Sequence, residues 1–303
     1  MENILISVVI ANYNRPVLVK RAITSALIQK TATIDIEVLV CDDASTNPIP
    51  ADELAALGAA VKYLRQPTNQ GPQAARNMGI AQAAGKFVFI LDDDDEFLPG
   101  AIAAALADIY NLSNWQQFPV FQFAHSNGYI PATFAVADID YYMTGKLKGD
   151  FAPVIQTAVF KANGLRYPTE ILNVGCEHLL WWKIALKWGI PSWTRRLMNL
   201  YADADVRMTS GSIYIKRAEK YALMEDLSVE FLRENQLTDK YRDYYNLKIT
   251  GSATYYLLAG NRKMARRRLS EVKGSFLLRK TFLKLLTYMP ESIVIFLFGI
   301  YRR

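Results

Sequence analysis

Lys86-Phe-Val-Phe-Ile-Leu-Asp92-Asp93-Asp94-Asp95-Glu96-Phe-Leu-Pro99-Gly100 is the stretch on which the fold turns. Its five consecutive apolar residues, Phe87 to Leu91, read as a strand buried on both faces. They run straight into five carboxylates, Asp92 to Glu96. Such a run repels itself, and at a strand end facing a core it calls for a neutralising cation. Pro99-Gly100 closes the turn, and the Ala-rich run from Ala101 to Ala107 opens a helix. Clustered carboxylates at the C-terminal tip of a strand suit the crevice where open α/β sheets bind ligands. Hard oxygen ligands there suit Mg²⁺ or Mn²⁺ bridging the phosphates of a nucleotide. The competing reading is a solvated acidic turn that caps the next helix.

Upstream, the Ile/Val-rich run Ile4 to Ala11 reads as another central parallel strand, ending in the loop Asn12-Tyr13-Asn14-Arg15-Pro16. Helical spacing follows from Val17 to Gln29, with Pro16 at the helix start. Ile34 to Val40 is a second strand and leads to Asp42-Asp43; Val61 to Arg65 is a third. Asn69-Gln70-Gly71-Pro72 then opens a helix carrying Arg76. Strand and helix alternate at βαβ length, which predicts a parallel sheet with helices on both faces. In such a sheet the polar tips at Asn12–Arg15, Asp42–Asp43 and Asp92–Asp95 share one edge and converge on one crevice. The first strand is not followed by Gly-x-Gly-x-x-Gly, and no Gly-Lys-Ser/Thr loop occurs, which disfavours the dinucleotide fingerprint and the P-loop.

Composition narrows the class further. The 303 residues suit one large domain, or one domain with an appendage; 51% are hydrophobic and 21% charged, enough for a sizeable core. The two cysteines, Cys41 and Cys176, are far apart and lack metal-type spacing, which implies a reducing compartment. The first residues lack the basic region and small-residue cleavage site of a signal peptide, so a cytoplasmic location is expected. No apolar run reaches the ~18 residues of a membrane span.

Four motifs in order carry a resemblance. Val8-Val-Ile-Ala-Asn12-Tyr13-Asn14-Arg15, Val40-Cys-Asp42-Asp43-Ala-Ser-Thr46, Asn69-Gln-Gly71-(x)4-Arg76-Asn-x-Gly79-Ile80 and Leu91-Asp92-Asp93-Asp94-Asp95-(x)3-Pro99-Gly100 resemble the family 2 glycosyltransferases over residues 5–100. The resemblance implies the GT-A fold, a Rossmann-like, mostly parallel sheet flanked by helices. It implies that Asn12, Tyr13, Asn14 and Arg15, with Asp42 and Asp43, hold the base and ribose of a nucleotide, usually uridine. A carboxylate can accept a base N–H, and a Tyr ring can stack on its face. Arg76 would reach the base or diphosphate. Asp92 and Asp94 match the outer positions of the Asp-x-Asp element and would ligate Mn²⁺ or Mg²⁺, with Asp93 at the variable position and Asp95 behind them. Asp42 and Asp43 could instead form an Asx turn, and Arg76 a surface salt bridge.

The stretch Val174-Gly175-Cys176-Glu177-His178-Leu179-Leu180-Trp181-Trp182-Lys183 has a helical apolar face of Leu180, Trp181, Ile184 and Ala185. It resembles the family's Glu-Asp-x-x-Leu-Trp-x-Arg element. With Leu180-Trp181 and Lys183 in phase, Glu177 falls at the position of the catalytic base, one methylene longer than the usual Asp and next to Cys176 in place of Glu. A shifted register makes His178 the candidate base. A helix N-terminal carboxylate stabilised by the dipole is the non-catalytic alternative for Glu177. Asp203-Ala-Asp-Val-Arg207 resembles the segment that closes over the donor, with Arg207 toward the diphosphate. Among other residues, Val120 to His125 reads as a strand with a structural His125, and Ala152 to Phe160 as another strand.

Beyond residue 213 helical spacing takes over, at Tyr221–Arg233, Asp239–Leu258 and Arg262–Val272. From Arg262 to the end there are eleven Lys/Arg against two Glu, interleaved with Leu, Phe and Tyr. A basic amphipathic tail of this kind suits an anionic membrane surface; a helix packed on the catalytic domain is the alternative. Nucleic acid fits poorly, since no binding motif accompanies the basic residues. The expectation is thus a GT-A domain over 1–212 and a helical region over 213–303. The resemblance implies an inverting, metal-dependent transfer from a UDP-sugar to a glycan or lipid-linked glycan in surface-polysaccharide assembly, peripheral to the inner face of a bacterial membrane. The rivals are a sugar nucleotidyltransferase and a non-catalytic nucleotide-binding subunit.

Overall fold

The computed structural model describes residues 4–125, 127–172, 174–201 and 211–301. The chain divides into two compact units, Met1–Ala204 and Asp205–Arg303.

The first unit runs β1 (Ile4–Asn12), α1 (Pro16–Leu27), β2 (Ile34–Asp42), α2 (Ala51–Ala56), β3 (Val61–Arg65), α3 (Pro72–Gln82), β4 (Phe87–Asp92), β5 (Glu96–Phe97) and α4 (Ala101–Tyr110). It continues β6 (Val120–Ala124), β7 (Phe134–Ala137), α5 (Ile139–Met143), β8 (Phe151–Gln156), α6 (Thr157–Ala162), α7 (Glu177–Lys187), β9 (Ile190–Arg196) and β10 (Met198–Asn199). Eight strands form one sheet in the order β3-β2-β1-β4-β8-β6-β9-β7, and β5 pairs with β10 apart from it. The half expected to be parallel is parallel: β1 pairs in that sense with β2 and β4, and β2 with β3. Beyond β4 the sheet is mixed, because β8 returns antiparallel between β4 and β6, and β7 antiparallel on β9. The strand expected to reach Phe160 ends at Gln156, where the chain turns into α6. Alanines at 158 and 162 and a long Lys161 side chain favour helix there once the strand has crossed the sheet.

Alternation along β1 explains the layers. Ile6, Val8 and Ile10 point to one face and pack with Ala22, Ile23 and Ala26 of α1 and Ile102 and Ala105 of α4. Val9 points to the other face, with Leu39, Cys41, Val88 and Ile90, and meets Ala75 and Ile80 of α3 and Leu180, Ile184 and Ala185 of α7. Gly79 lets α3 lie close on that face, since a Cβ there would stand 2.6 Å from Val9 Cγ1 and 2.7 Å from Cys41 Sγ. The consequence is positional: α3 and α7 share one face of the sheet, each with a polar residue near the strand tips.

The second unit is helical: α8 (Gly211–Lys216), α9 (Ala218–Glu234), α10 (Arg242–Leu258), α11 (Arg262–Glu271), α12 (Leu277–Leu286) and α13 (Glu291–Tyr301). Its core joins small residues (Ala222, Ala253 and Ala265) with Tyr256, Leu257, Leu269, Leu283 and Leu286. Asn261 caps α11 by accepting from the Met264 N–H at 3.1 Å. Two shielded ion pairs, Lys248–Glu225 at 3.1 Å and Arg268–Asp226 at 2.7 Å, tie α10 and α11 to α9. Among the described residues no helix is long and apolar enough to cross a membrane.

Candidate functional site

Strand register assembles the site. Asn12 stands opposite Asp42 on the neighbouring strand, and Ala11 opposite Asp92. The three polar tips therefore lie side by side at the C-terminal edge of the parallel half, as the topology requires.

The loops at that edge are tied together by their own side chains. Asn14 takes a left-handed backbone (φ 57°) that Asn tolerates better than most residues. It donates its N–H to Ser45 Oγ at 2.8 Å and accepts from the Asn47 N–H at 2.9 Å. Asp42 is fully buried. Its Oδ1 accepts from the Ser45 N–H at 2.9 Å, and its Oδ2 accepts from the Tyr63 hydroxyl and from Arg65 Nη1. Asp43 accepts from the N–H groups of Gln70 at 2.7 Å and Gly71 at 2.8 Å, fixing the turn that starts α3. Burial pushes the Asp43 carboxyl above its ordinary value, and those two donors oppose the shift. The Asx-type role thus coexists with the expected place at the strand tips: both carboxylates shape the loop walls. Between them Asn12 is buried, and neither polar atom of its amide has a hydrogen-bond partner among the described residues. Tyr13 beside it is exposed.

Three arginines and a histidine divide the acidic run: Arg21 Nε pairs with Glu96 Oε1 at 3.0 Å, and Arg15 and Arg76 take three of the aspartates. Arg15 Nη1 lies 2.6 Å from Asp93 Oδ1 and 3.1 Å from Asp94 Oδ2. Arg15, expected beside the base and ribose, is therefore turned to the acidic run. Burial pushes the Asp93 carboxyl up to about 7 in spite of Arg15. Burial raises Asp94 as well, reinforced by Asp92 and Asp95 after the opposing pull of Arg15. Asp95 Oδ2 meets His125 Nε2 at 3.2 Å. Burial would depress the His125 imidazolium, but Asp95 outweighs it and the pKa is raised. Asp92 belongs to Arg76, whose Nη2 donates to its Oδ1 at 2.6 Å. The surroundings resist charge on Asp92, yet Arg76 holds its carboxyl below the usual range.

Arg76 reaches a second carboxylate. Its Nη1 donates to Glu177 Oε1 at 3.1 Å, and Gln73 Nε2 donates to the same oxygen at 2.9 Å. Burial works against the Arg76 guanidinium, but Asp92, Tyr167 and Glu177 raise its pKa, so it stays charged. Glu177 is the first residue of α7, where a carboxylate also meets the positive helix end. Gly175 matters to its pose, since a Cβ at 175 would stand 2.5 Å from Glu177 Oε2. His178 lies with its ring edge-on to Trp182 at 4.8 Å. The expected apolar face of α7 is observed, with Leu180, Ile184 and Ala185 buried and Trp181 partly buried against the same cluster and Tyr167; Trp182, outside that face, is the more deeply buried tryptophan.

The structure therefore forms two sets of ion pairs, Arg15 with Asp93 and Asp94 and Arg76 with Asp92 and Glu177, and sets Asn12, Asn14, Asp42 and Asp43 at the adjoining strand tips and loops. Arg207 lies outside the described residues. Gln73 was not singled out by sequence, although its position one turn before Arg76 places both on one face of α3. Tyr63, Arg65 and His125 have no such signal; only folding reveals their partners. Among the described residues no group of three or more His, Cys, Asp and Glu side chains is placed to hold a metal ion.

Comparison with known proteins agrees with this geometry. Residues 7–152 match the family model Glycosyl transferase family 2. The GalNAc(5)-diNAcBac-PP-undecaprenol beta-1,3-glucosyltransferase of Campylobacter jejuni is 39% identical over 104 residues, covering 33% of this chain and 33% of that protein. An uncharacterized glycosyltransferase of Rickettsia conorii is 31% identical over 234 residues, covering 72% of this chain and 35% of that protein. The chain thus spans about a third of the length of these relatives. TarS of S. aureus, solved as residues 1–349, shares the fold with a TM-score of 0.59 at 17% identity, over 100% of this chain and 91% of that one. That TarS fragment has also been solved in complex with UDP and with UDP-GlcNAc. The parallel half-sheet with its Asp-rich tips and the match over residues 7–152 lead to one conclusion: this chain carries a domain of glycosyl transferase family 2.

Proposed function

We propose that the protein is an inverting glycosyltransferase that moves a sugar from a nucleotide-sugar, a UDP-sugar, to a hydroxyl of a glycan or lipid-linked glycan in cell-surface polysaccharide assembly. The observation that carries this reading is the bridge Asp92–Arg76–Glu177, which sets a carboxylate able to accept a proton beside a strand tip able to receive a diphosphate. The relatives named for polysaccharide or undecaprenol-linked substrates, and the UDP complexes of TarS, support the donor and acceptor classes.

In this reading the buried, unpartnered amide of Asn12 meets the edge of the base, and exposed Tyr13 offers a ring for its face. Asn14, Asp42 and Asp43 keep that wall rigid through the bonds described above. Asp92 and Asp94 would hold a divalent cation, Mn²⁺ or Mg²⁺. The donors are hard oxygens, and a cation there would relieve the burial and the neighbouring Asp92 and Asp95 charges that raise the Asp94 carboxyl. Such an ion, when bound, neutralises charge on the leaving diphosphate. Arg76 and Arg207 add fixed positive charge to the same leaving group. Glu177 takes the proton of the acceptor hydroxyl as its oxygen attacks the anomeric carbon opposite the nucleotide; no covalent intermediate forms. Gln73 and Arg76 orient that carboxylate before the acceptor arrives. The basic composition of the second unit supports a position on the cytoplasmic face of an anionic membrane, close to a lipid-linked acceptor.

Calorimetric titration with UDP, GDP and CMP, each with and without Mn²⁺, tests the donor site on wild type and Asp94→Ala. Metal-dependent UDP binding that is lost in the variant is expected. Binding of no nucleotide under any condition would overturn the assignment.

A further inference from the structure

The second unit contains a helix, α12, that carries apolar side chains on both its buried and its exposed side. Leu283 and Leu286 of α12 are buried in the helical core. On the other side Leu278, Phe282 and Leu285 follow one another at four- and three-residue steps, forming a single stripe along the helix. That stripe faces solvent: Leu278 is 88% exposed, Phe282 53% and Leu285 57%. An exposed apolar stripe of this kind lacks its partner. Leu277, 57% exposed, widens it, and by helical geometry Lys284 borders it beside Leu277. Arg279 lies on the core side, within electrostatic reach of the buried Glu225.

We infer that this outward face of α12 inserts into the interface of an anionic lipid bilayer, with Leu278, Phe282 and Leu285 among the acyl chains and Lys284 at the headgroups. The charge pattern selects this occupant. Long cationic side chains bordering an apolar stripe can lay their stems along the hydrocarbon and leave their heads at the phosphates. A second copy docked through the same face would bring its own Lys284, in a stretch with eleven Lys/Arg against two Glu from Arg262 on, against this one, a like-charge juxtaposition. Helix α12 has ten residues, too short to span and long enough to lie in the plane of the interface. This deepens the membrane placement proposed above by assigning the residues that make it; it does not depend on the chemistry at Glu177.

The test is co-sedimentation of the full chain with vesicles of phosphatidylcholine alone and of phosphatidylcholine mixed with phosphatidylglycerol. The same preparations are titrated with UDP. Wild type is expected to pellet with the mixed vesicles and to stay in solution with the neutral ones. Leu278→Ser combined with Phe282→Ser should weaken pelleting by about tenfold or more, and Lys284→Glu should weaken it in proportion to the phosphatidylglycerol content. All variants should retain the UDP binding of wild type and its far-ultraviolet helical signal, which together show that both units are folded. Wild type left in solution by both vesicle types would overturn the inference, as would unchanged pelleting of the double variant. A concentration-dependent dimer abolished by the double variant would assign the face to a second copy and also overturn it. Loss of UDP binding by wild type itself would count against the donor reading and leave the vesicle result to stand alone.

Discussion

Arg76 reaches Glu177 across 3.1 Å although 101 positions separate them in the chain. The same guanidinium holds Asp92 at 2.6 Å. A charge shared between the strand tip and the start of α7 couples the place where a diphosphate would lie to the carboxylate that would take the acceptor proton.

Glu177→Gln keeps the shape of the side chain and its contact with Gln73 while removing the base. Transfer should fall by ~10²–10⁴-fold with UDP affinity unchanged. Single-turnover transfer and calorimetry on the same preparation check this; undiminished turnover would shift the role to His178.

Chelation of divalent cations should abolish UDP binding, and Mn²⁺ should restore it. Asp94→Ala should resist restoration, because it removes one of the two proposed oxygen donors. Calorimetry before and after dialysis against a chelator is the measurement, and UDP affinity unaffected by chelation would count against metal-assisted binding.

Stability should depend on pH through Asp93. Its folded carboxyl lies at about 7 against an ordinary value of 3.8, raised chiefly by burial. The folded state therefore binds a proton that the unfolded chain has released over that window. The stabilising contribution is full below pH ~4 and is lost as pH rises through about 7. His125, also raised in the folded state, acts with the same sign at the upper end. Thermal melts of the metal-free protein should show stability declining from mildly acid to neutral pH, and Asp93→Asn should flatten that decline.

Asp43→Ala leaves the Gln70 and Gly71 N–H groups without their acceptor. Each such loss costs ~1–3 kcal/mol when the donor stays buried, so the melting temperature should drop measurably. Nucleotide affinity should fall with it, because the turn that starts α3 also aims Arg76.

In the helical unit, Lys248→Met strands Glu225, whose carboxyl is already raised, chiefly by burial. The expected cost is ~3–5 kcal/mol by denaturant unfolding. Combining it with Glu225→Gln should recover a large part, since no uncompensated charge is then left inside.

Much of the site was legible from residue order alone. Apolar runs ending in Asn12, Asp42 and Asp92, separated by helical segments, place three polar clusters on one edge because parallel βαβ units leave little alternative. Glu177 was legible as a helix-start carboxylate beside the Leu180-Trp181 pair. What local pattern does not contain is partnership. Asp42 is claimed by Arg65 and Tyr63, Arg15 turns to Asp93, and Arg76 joins Asp92 to Glu177 only because α3 and α7 pack on the same face of the sheet. The antiparallel return of β8 and the burial of Trp182 in preference to Trp181 likewise depend on distant neighbours. The sequence by itself determined the strands, their polar tips and the basic, apolar character of the C-terminal helices, since these follow from nearest-neighbour periodicity and charge. The tertiary structure alone decided which charge answers which and which face of α12 stays uncovered, because those outcomes are set by packing between segments far apart in the chain.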